Sequence, residues 1–186
     1  YANAYLNIGV GARALAMASS ATALSGDVTS SYWNPASLVE IQNTVQVGYM
    51  HTNYFGGIGS YDYGGVAFKQ KNGAALGFSF LRLGIDGVPN TIDLFRNGQI
   101  DYDRITTFSV VDNAFIFSYA QKTLRDGLSI GGNAKILHRK AGSFTNAWGF
   151  GVDAAIKYQL REDFALALVA RDVTSTFTAW KYDFTE

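Results

Sequence analysis

The sequence predicts an all-β fold, a transmembrane antiparallel up-and-down β-barrel preceded by a helical hatch at the N-terminus. Three observations favour this fold. From Thr44 onward, apolar residues alternate with small or polar residues at a period of two. The alternation over Leu128–His138 and Ala147–Gln159 exceeds the roughly five or six residues of ordinary strands and suits a tilted membrane-crossing strand. The face between the apolar residues carries mainly glycine, serine, alanine and asparagine.

Composition restricts the protein class. The 186 residues have net charge zero, 16% charged residues, 15% aromatic residues, 20 glycines and no cysteine. This much apolar surface excludes disorder, and the absence of cysteine excludes disulfides and thiolate metal sites. The balanced charge gives no indication of a nucleic-acid partner. Mean hydropathy is +0.03, and no apolar run approaches the roughly 18 residues of a membrane-spanning helix.

Residues 1–43 differ in composition from the rest and are predicted to form a helical hatch or plug. The alanine-rich stretch predicts a helix over Ala12–Leu24, ended by Gly26 and Asp27. A second short helical or turn element is predicted at Tyr32–Ala36.

Residues 44–186 are predicted to form the strands of the barrel. Seven segments alternate with a period of two: Val45–Tyr49, Tyr61–Gln70, Leu76–Phe80, Phe115–Tyr119, Leu128–Ile136, Trp148–Tyr158 and Phe164–Leu168. Tight turns are predicted at Asn72-Gly73, Asp126-Gly127 and Arg161-Glu162-Asp163. Longer loops are predicted at Asn53–Ser60, Gly84–Asp112 and Arg139–Asn146, so that short and long connections alternate strictly.

A soluble β-sandwich is the competing fold for such a meander. The outer stripe of the sixth predicted strand, Phe150 to Ile156, is flanked by Trp148 and Tyr158, an arrangement typical of interfacial aromatic girdles. Burial of Phe150, Val152 and Ile156 in a closed core would instead indicate the sandwich. Because single-chain bacterial barrels have even strand numbers, seven strands predict the N-terminal part of a longer barrel.

Enzymatic motifs are weak, and we predict neither an enzyme nor a catalytic residue, metal or cofactor. The stretch Gly9–Ala14 fits the dinucleotide pattern G-x-G-x-x-[GA], but no βαβ unit follows it. His51 and His138 stand at strand ends outside any metal-ligand spacing. No nucleophile elbow or phosphate-binding loop occurs.

Three charged residues depart from the loop location of most other charges. The strand phase turns Lys135, Asp153 and Lys157 toward the lumen of the predicted barrel. They form either a binding site or structural ion pairs with the plug or a neighbouring strand. The helical N-terminus, rich in small residues, would fold back inside the lumen as a hatch or lie across its periplasmic end.

Two segments carry a resemblance to a known family. Gly11–Met17, Ala21–Leu24, Asp27 and the stretch Ser31–Leu38 resemble the PorV/PorQ family of outer-membrane proteins, as does Arg171–Trp180. That family is similar to the FadL transporters, whose hatch carries the same Asn-Pro-Ala element. Here the hatch motif is Trp33, Asn34, Pro35 and Ala36. Two departures concern hatch packing: Ala18-Ser19 replaces an expected glycine pair, and Val28 replaces the usual alanine.

The resemblance implies a bacterial outer-membrane barrel of about fourteen strands, of which seven would be present. It also implies a role in type IX secretion, with the translocon and secreted cargo as protein partners beside the membrane lipid. Gly84–Asp112 or Arg171–Glu186 would make the protein contact. One alternative is uptake of hydrophobic small molecules, with an acyl chain or detergent in the lumen. The other is a structural barrel subunit of a surface assembly.

Overall fold

The computed structural model describes residues 3–24, 26–92, 94–96 and 98–182. The chain is mostly β, and its strands form an antiparallel half-barrel sheet of seven strand positions. The mostly-β antiparallel meander is therefore confirmed. Asp93, Asn97 and residues 183–186, which belong to the two predicted contact regions, lie outside the described residues. Among the described helices, none is both long and apolar enough to cross a membrane.

Six of the seven predicted strands lie within observed strands, the remaining one, Tyr61–Gln70, exceeds β2 by one residue at Gln70, and all follow the predicted order. The strands are β1 Val45–Tyr54, β2 Gly59–Lys69, β3 Ala74–Asn90, β4 Phe95–Arg96, β5 Gln99–Ile100, β6 Thr106–Lys122, β7 Leu128–Ala141, β8 Thr145–Arg161, β9 Phe164–Ala170 and β10 Phe177–Tyr182. The main sheet has the order β1-β2-β3-β6-β7-β8, and β4 pairs with β5 in a separate small hairpin.

The seventh position of the sheet is shared by two strands. β9 pairs with β8 from Ala154 to Arg161, and β10 pairs with the other end of β8, from Thr145 to Phe150. Residues 171–176 interrupt this edge between the two strands. The amide of Val173 still donates to the carbonyl of Val152 at 2.9 Å. Residues 171–176 therefore stay attached to β8 by this hydrogen bond, but their side chains do not alternate between the two faces of the sheet as those of a strand do.

The predicted strict alternation of short and long loops is wrong. The segments Asn53–Ser60 and Arg139–Asn146 mostly join their flanking strands, leaving connections of only 55–58 and 142–144. Gly84–Asp112 shrinks to 91–105 because β3 and β6 extend to 17 residues each. The prediction makes these loops too long because their residues have polar side chains. The backbone hydrogen bonds between strands continue through these residues all the same.

The predicted helix Ala12–Leu24 is also wrong, because α1 spans only Ala12–Ala16. Ala18 and Ser19 take left-handed backbone angles, with φ of 53° and 64°, and the Ser19 amide donates to the Ala14 carbonyl at 2.8 Å. The second element is present as α2, Ser30–Trp33, followed by a 3-10 helix at Pro35–Glu40. Alanine propensity contributes only tenths of a kcal/mol per residue, so packing decides where α1 ends.

The inner face of the sheet, which we define as the face that the N-terminal segment (residues 3–43) covers, is built for close approach. A Cβ on Gly131 would lie 2.5 Å from the Ala36 nitrogen, and one on Gly48 would lie 2.5 Å from Val28 Cγ1. Around these contacts, apolar side chains of the N-terminal segment pack on buried residues of β2 and β3 such as Tyr61 and Leu81. The core therefore lies between the N-terminal segment and the sheet.

The outer face carries exposed apolar residues on β1, β2, β3, β6, β7 and β8 and has no described element packed on it. Val47 is 77% exposed, Phe150 55% and Val152 37%. Ile156 is exposed as well. The three residues whose burial would have indicated a closed sandwich are thus exposed, and the sheet presents an apolar outer surface.

The glycine contact gives a matched pair of substitutions. Gly131→Ala should lower the free energy of unfolding by about 1–3 kcal/mol, because the new methyl group meets the backbone of Ala36. Gly64→Ala should change it by no more than about 1 kcal/mol, because nothing lies within 4 Å of its added Cβ. Urea-induced unfolding of the refolded chain measures both. Equal values for the two variants would contradict the close packing of the N-terminal segment.

Candidate functional site

The polar residues of the inner face concentrate where the N-terminal segment meets β6, β7 and β8. Five side chains form this inner polar cluster: Ser118, Asn133, Lys135, Asp153 and Asp172. Strand register brings the first four together, since Ser118 lies opposite Asn133 and Asn133 lies opposite Asp153. Asp172 joins them from the interruption between β9 and β10.

Lys135 is the cation at the centre of the cluster. Its Nζ lies 2.6 Å from Asp153 Oδ1 and 2.5 Å from Asp172 Oδ1, and its side chain is almost fully buried. Gly151 lies opposite Lys135 in the ladder, and a Cβ there would come within 2.7 Å of Asp172 Oδ1. The absence of a side chain on β8 at this position therefore allows the second carboxylate to reach the ammonium group.

Asp153 receives hydrogen bonds from three directions. Besides Lys135, the Asn133 Nδ2 group donates to its Oδ2 at 3.1 Å, and the backbone amide of Asp172 donates to its Oδ1 at 2.9 Å. These donors satisfy both carboxylate oxygens and offset part of the cost of burying the ion pair. The cluster is thus held by charge and hydrogen bonding together.

Further contacts connect this region to the N-terminal segment. Asn133 Nδ2 donates to the Ser31 carbonyl at 3.0 Å, and Asn3 Nδ2 donates to Thr176 Oγ1 at 2.5 Å. The Arg171 guanidinium carbon lies 5.3 Å from the ring centre of Tyr32, a distance typical of cation–π contacts. The interruption at 171–176 therefore holds the N-terminal segment from one side and β7 and β8 hold it from another.

The hatch motif is buried within the N-terminal segment. Trp33 Nε1 donates to the Val10 carbonyl at 2.9 Å, and Asn34 Nδ2 donates to the Thr22 carbonyl at 2.8 Å. Asn34 Oδ1 also accepts from the Ala36 amide, which caps the 3-10 helix that Pro35 begins. These bonds fold the segment on itself and press Ala36 onto the sheet.

Tyr32, next to the motif, uses its hydroxyl as a hydrogen-bond donor. The hydroxyl donates to the Leu6 carbonyl. Burial raises the pKa of Tyr32, so the phenol stays neutral at physiological pH and keeps the proton that this bond needs.

The three charged residues singled out by strand phase separate into two groups. Lys135 and Asp153 pair directly, whereas Lys157 pairs with Glu40 of the N-terminal segment, with 2.9 Å between Nζ and Oε1. Sequence reasoning missed Asp172 and Glu40. Glu40 and Asp27 are the only acidic residues in 1–43, which was the available signal for Glu40. Asp172 had no signal in the alternation because it lies in the interruption.

A cavity of about 630 Å³ opens beside the inner polar cluster. Its polar wall includes Asn3, Lys135, Asp153, Arg171, Asp172 and Thr176, and its apolar wall includes Leu6 and Ile116. Within the described part of the chain, no three histidine or carboxylate side chains come close enough together to hold a metal ion. The arrangement suits polar contacts and anchoring of the N-terminal segment.

Comparison of the chain with protein-family models, curated proteins and solved structures gives no match. The resemblance carried by Ser31–Leu38 and Arg171–Trp180 therefore stays a prediction. One local geometry is relevant to it: Ala18 and Ser19, which replace an expected glycine pair, take the left-handed backbone that glycine adopts most easily.

Removal of the central cation should loosen the whole region. Lys135→Gln should lower the free energy of unfolding by about 3–5 kcal/mol, because Asp153 would stay buried without its counter-charge. The buried peptide bonds after Tyr32 and Trp33 should then be cleaved faster by chymotrypsin, since cleavage there requires the segment to open.

Lys71→Gln, at an exposed turn, serves as the matched control and should change stability by less than about 0.5 kcal/mol. If Lys135→Gln unfolded and was cleaved like this control, the cluster would not anchor the N-terminal segment.

Proposed function

We propose that the chain is part of a bacterial outer-membrane β-barrel of the PorV/PorQ type, which binds or shuttles secreted cargo at the type IX translocon. In this proposal the N-terminal segment is the hatch, and the protein has no catalytic role. The observation that carries the membrane location is the exposed apolar outer face of a sheet whose inner face is covered.

The outer face has the pattern that lipid requires. Its apolar residues fall in register across neighbouring strands, as in the row Val47, Val66, Phe78, Phe117, Ala134 and Val152. Monomeric soluble proteins rarely expose contiguous apolar patches of more than a few hundred Å². Lipid contact removes this surface from water without any further protein layer.

The edges of the sheet support a larger barrel. Among the described residues, β1 pairs only with β2, and β9 and β10 pair only with β8. Unpaired backbone groups in hydrocarbon cost several kcal/mol each, so both edges need strand partners inside a membrane. Further strands of a barrel of about fourteen would supply those partners.

The inner side supports secretion over uptake of hydrophobic molecules. A transport lumen for acyl chains needs an apolar pocket beside the hatch, whereas the wall of the cavity there includes charged residues such as Lys135, Asp153 and Arg171 beside its apolar residues. The same cavity, at about 630 Å³, is the observation that keeps small-molecule uptake as the second candidate. A structural subunit of a surface assembly is the third.

The long connection 91–105 is the proposed contact for protein partners. β3 and β6 continue pairing beyond the edge of β2, through Val88–Asn90 and Thr106–Phe108, so the connection projects from the sheet. Within this connection, Ile92 and Tyr102 are both strongly exposed. Exposed apolar and aromatic side chains on a projecting hairpin are suited to docking on a protein.

The membrane location can be tested with single cysteines, because the chain contains none. An environment-sensitive dye on Val152→Cys should emit as in an apolar medium and be quenched by brominated acyl chains, because Val152 is on the outer face. The same dye on Lys71→Cys, at an exposed turn, should stay in water. A water-like signal at both positions in reconstituted protein would disprove the membrane location.

The secretion role can be tested by site-specific photo-crosslinking in cells that carry a type IX system. A photoreactive residue at Tyr102 should capture a translocon component or cargo, and the same residue at Lys71 should not. Native mass spectrometry of the purified protein tests the second candidate. A retained acyl-chain ligand together with no crosslink at Tyr102 would favour uptake and reject the secretion role.

A further inference from the structure

The outer face changes from apolar to polar toward the end that carries the long connection. One register row there contains His51, Asp62, Arg82, Asn113, His138 and Trp148. His51 Nδ1 lies 2.7 Å from Asp62 Oδ1, and Arg82 Nη1 lies 3.6 Å from Asp62 Oδ2. Two residues further along β7, beyond this row, stands Lys140. The row thus marks the border of the apolar surface.

Beyond that border, two lysines flank an asparagine. Lys140 of β7 and Lys181 of β10 both lie directly opposite Asn146 of β8, and all three residues are exposed. The two lysines stand on the strands at either side of Asn146, two inter-strand spacings or about 10 Å apart, with their side chains on one face of the sheet. Among the described residues, neither lysine has a carboxylate within ion-pair distance. An anion bound between them would be attracted by both ammonium groups.

A hydrogen bond from His138 leaves Asn146 with donors to offer. Asn146 Oδ1 is an amide oxygen and can only accept a hydrogen bond. His138 Nε2 therefore donates to Asn146 Oδ1 at 3.0 Å. This bond occupies the amide oxygen, and the Nδ2 hydrogens of Asn146 remain as donors between the two ammonium groups.

The three side chains line an open recess of about 340 Å³, together with Gly142, Ser143 and Thr145. The two ammonium groups, the Asn146 amide and the Ser143 hydroxyl are donors that match the oxygens of a phosphate group, whereas the Thr145 hydroxyl donates to the Lys181 carbonyl. On the same face and directly toward the apolar surface lie Trp148, Phe150 and Phe177, all exposed. A ligand in the recess therefore meets phosphate donors at one end and an apolar surface at the other.

We propose that Lys140, Asn146 and Lys181 bind the phosphate of an anionic lipid headgroup whose acyl chains lie along the apolar outer face. The position of the recess at the border of that face selects a lipid over a free anion. The inference rests on the proposed membrane location. The dye on Val152→Cys tests that location separately, so a failure of the headgroup site can be distinguished from a failure of the membrane location.

Native mass spectrometry of the full chain in neutral detergent provides the test. Dioleoyl phosphatidylglycerol should bind more tightly than dioleoyl phosphatidylcholine, and Lys140→Gln with Lys181→Gln should weaken phosphatidylglycerol binding by about fivefold for each lysine. Lys140→Arg with Lys181→Arg should retain the preference because both charges remain. The control pair Lys71→Gln and Lys122→Gln, which removes two exposed lysines at the opposite end, should leave it unchanged.

Three results would overturn the headgroup site. The first is wild-type protein that binds both lipids equally. The second is an equal loss of phosphatidylglycerol binding in the control pair, which would indicate a general charge effect. The third is displacement of phosphatidylglycerol by inorganic phosphate at comparable concentration, which would indicate a free-phosphate site instead of a lipid site.

Discussion

The close approach of the N-terminal segment to the inner face of the sheet is the constraint on which the rest of the structure depends. Where Ala36 and Val28 touch the strands, the sheet presents Gly131 and Gly48, which have no side chain to keep them apart. Beside these glycines the large apolar residues stand on the other face, because alternation gives each strand only two faces. Other large side chains remain on the inner face as part of the core, among them Tyr61, Tyr63 and Leu81. The exposed apolar surface follows from how the inner side is filled.

Polar contacts determine where the N-terminal segment sits. Apolar packing between small residues is weakly directional. The hydrogen bonds from Asn133 to Asp153 and to the Ser31 carbonyl, in contrast, form in only one position of the N-terminal segment relative to the sheet. Lys157 with Glu40 fixes a second point, on β8. Two separate anchors, Asn133 on β7 and Lys157 on β8, define both the position and the direction of the segment, which fits the view that buried polar groups can specify a unique arrangement.

Period-two alternation was sufficient to locate all seven strand positions, because the burial of each face acts on every residue of a strand. It was not sufficient at strand ends, where Arg139 and Asn146 look like loop residues and yet pair in the ladder. The helix predicted over the alanine-rich stretch is too long for a related reason. Helix propensity describes an isolated helix, whereas α1 ends at Ala16, where the chain turns. Strand phase placed Lys135 and Asp153 on one face, but Asp172 lies outside any periodic element.

The interruption at residues 171–176 divides one edge of the sheet into two short ladders on a common strand. Cooperative loss of hydrogen bonds travels along an unbroken ladder and stops where pairing stops. β9 and β10 are therefore separate opening units: fraying at Tyr182 does not have to release Phe164, and amide exchange at the two ends need not share one rate.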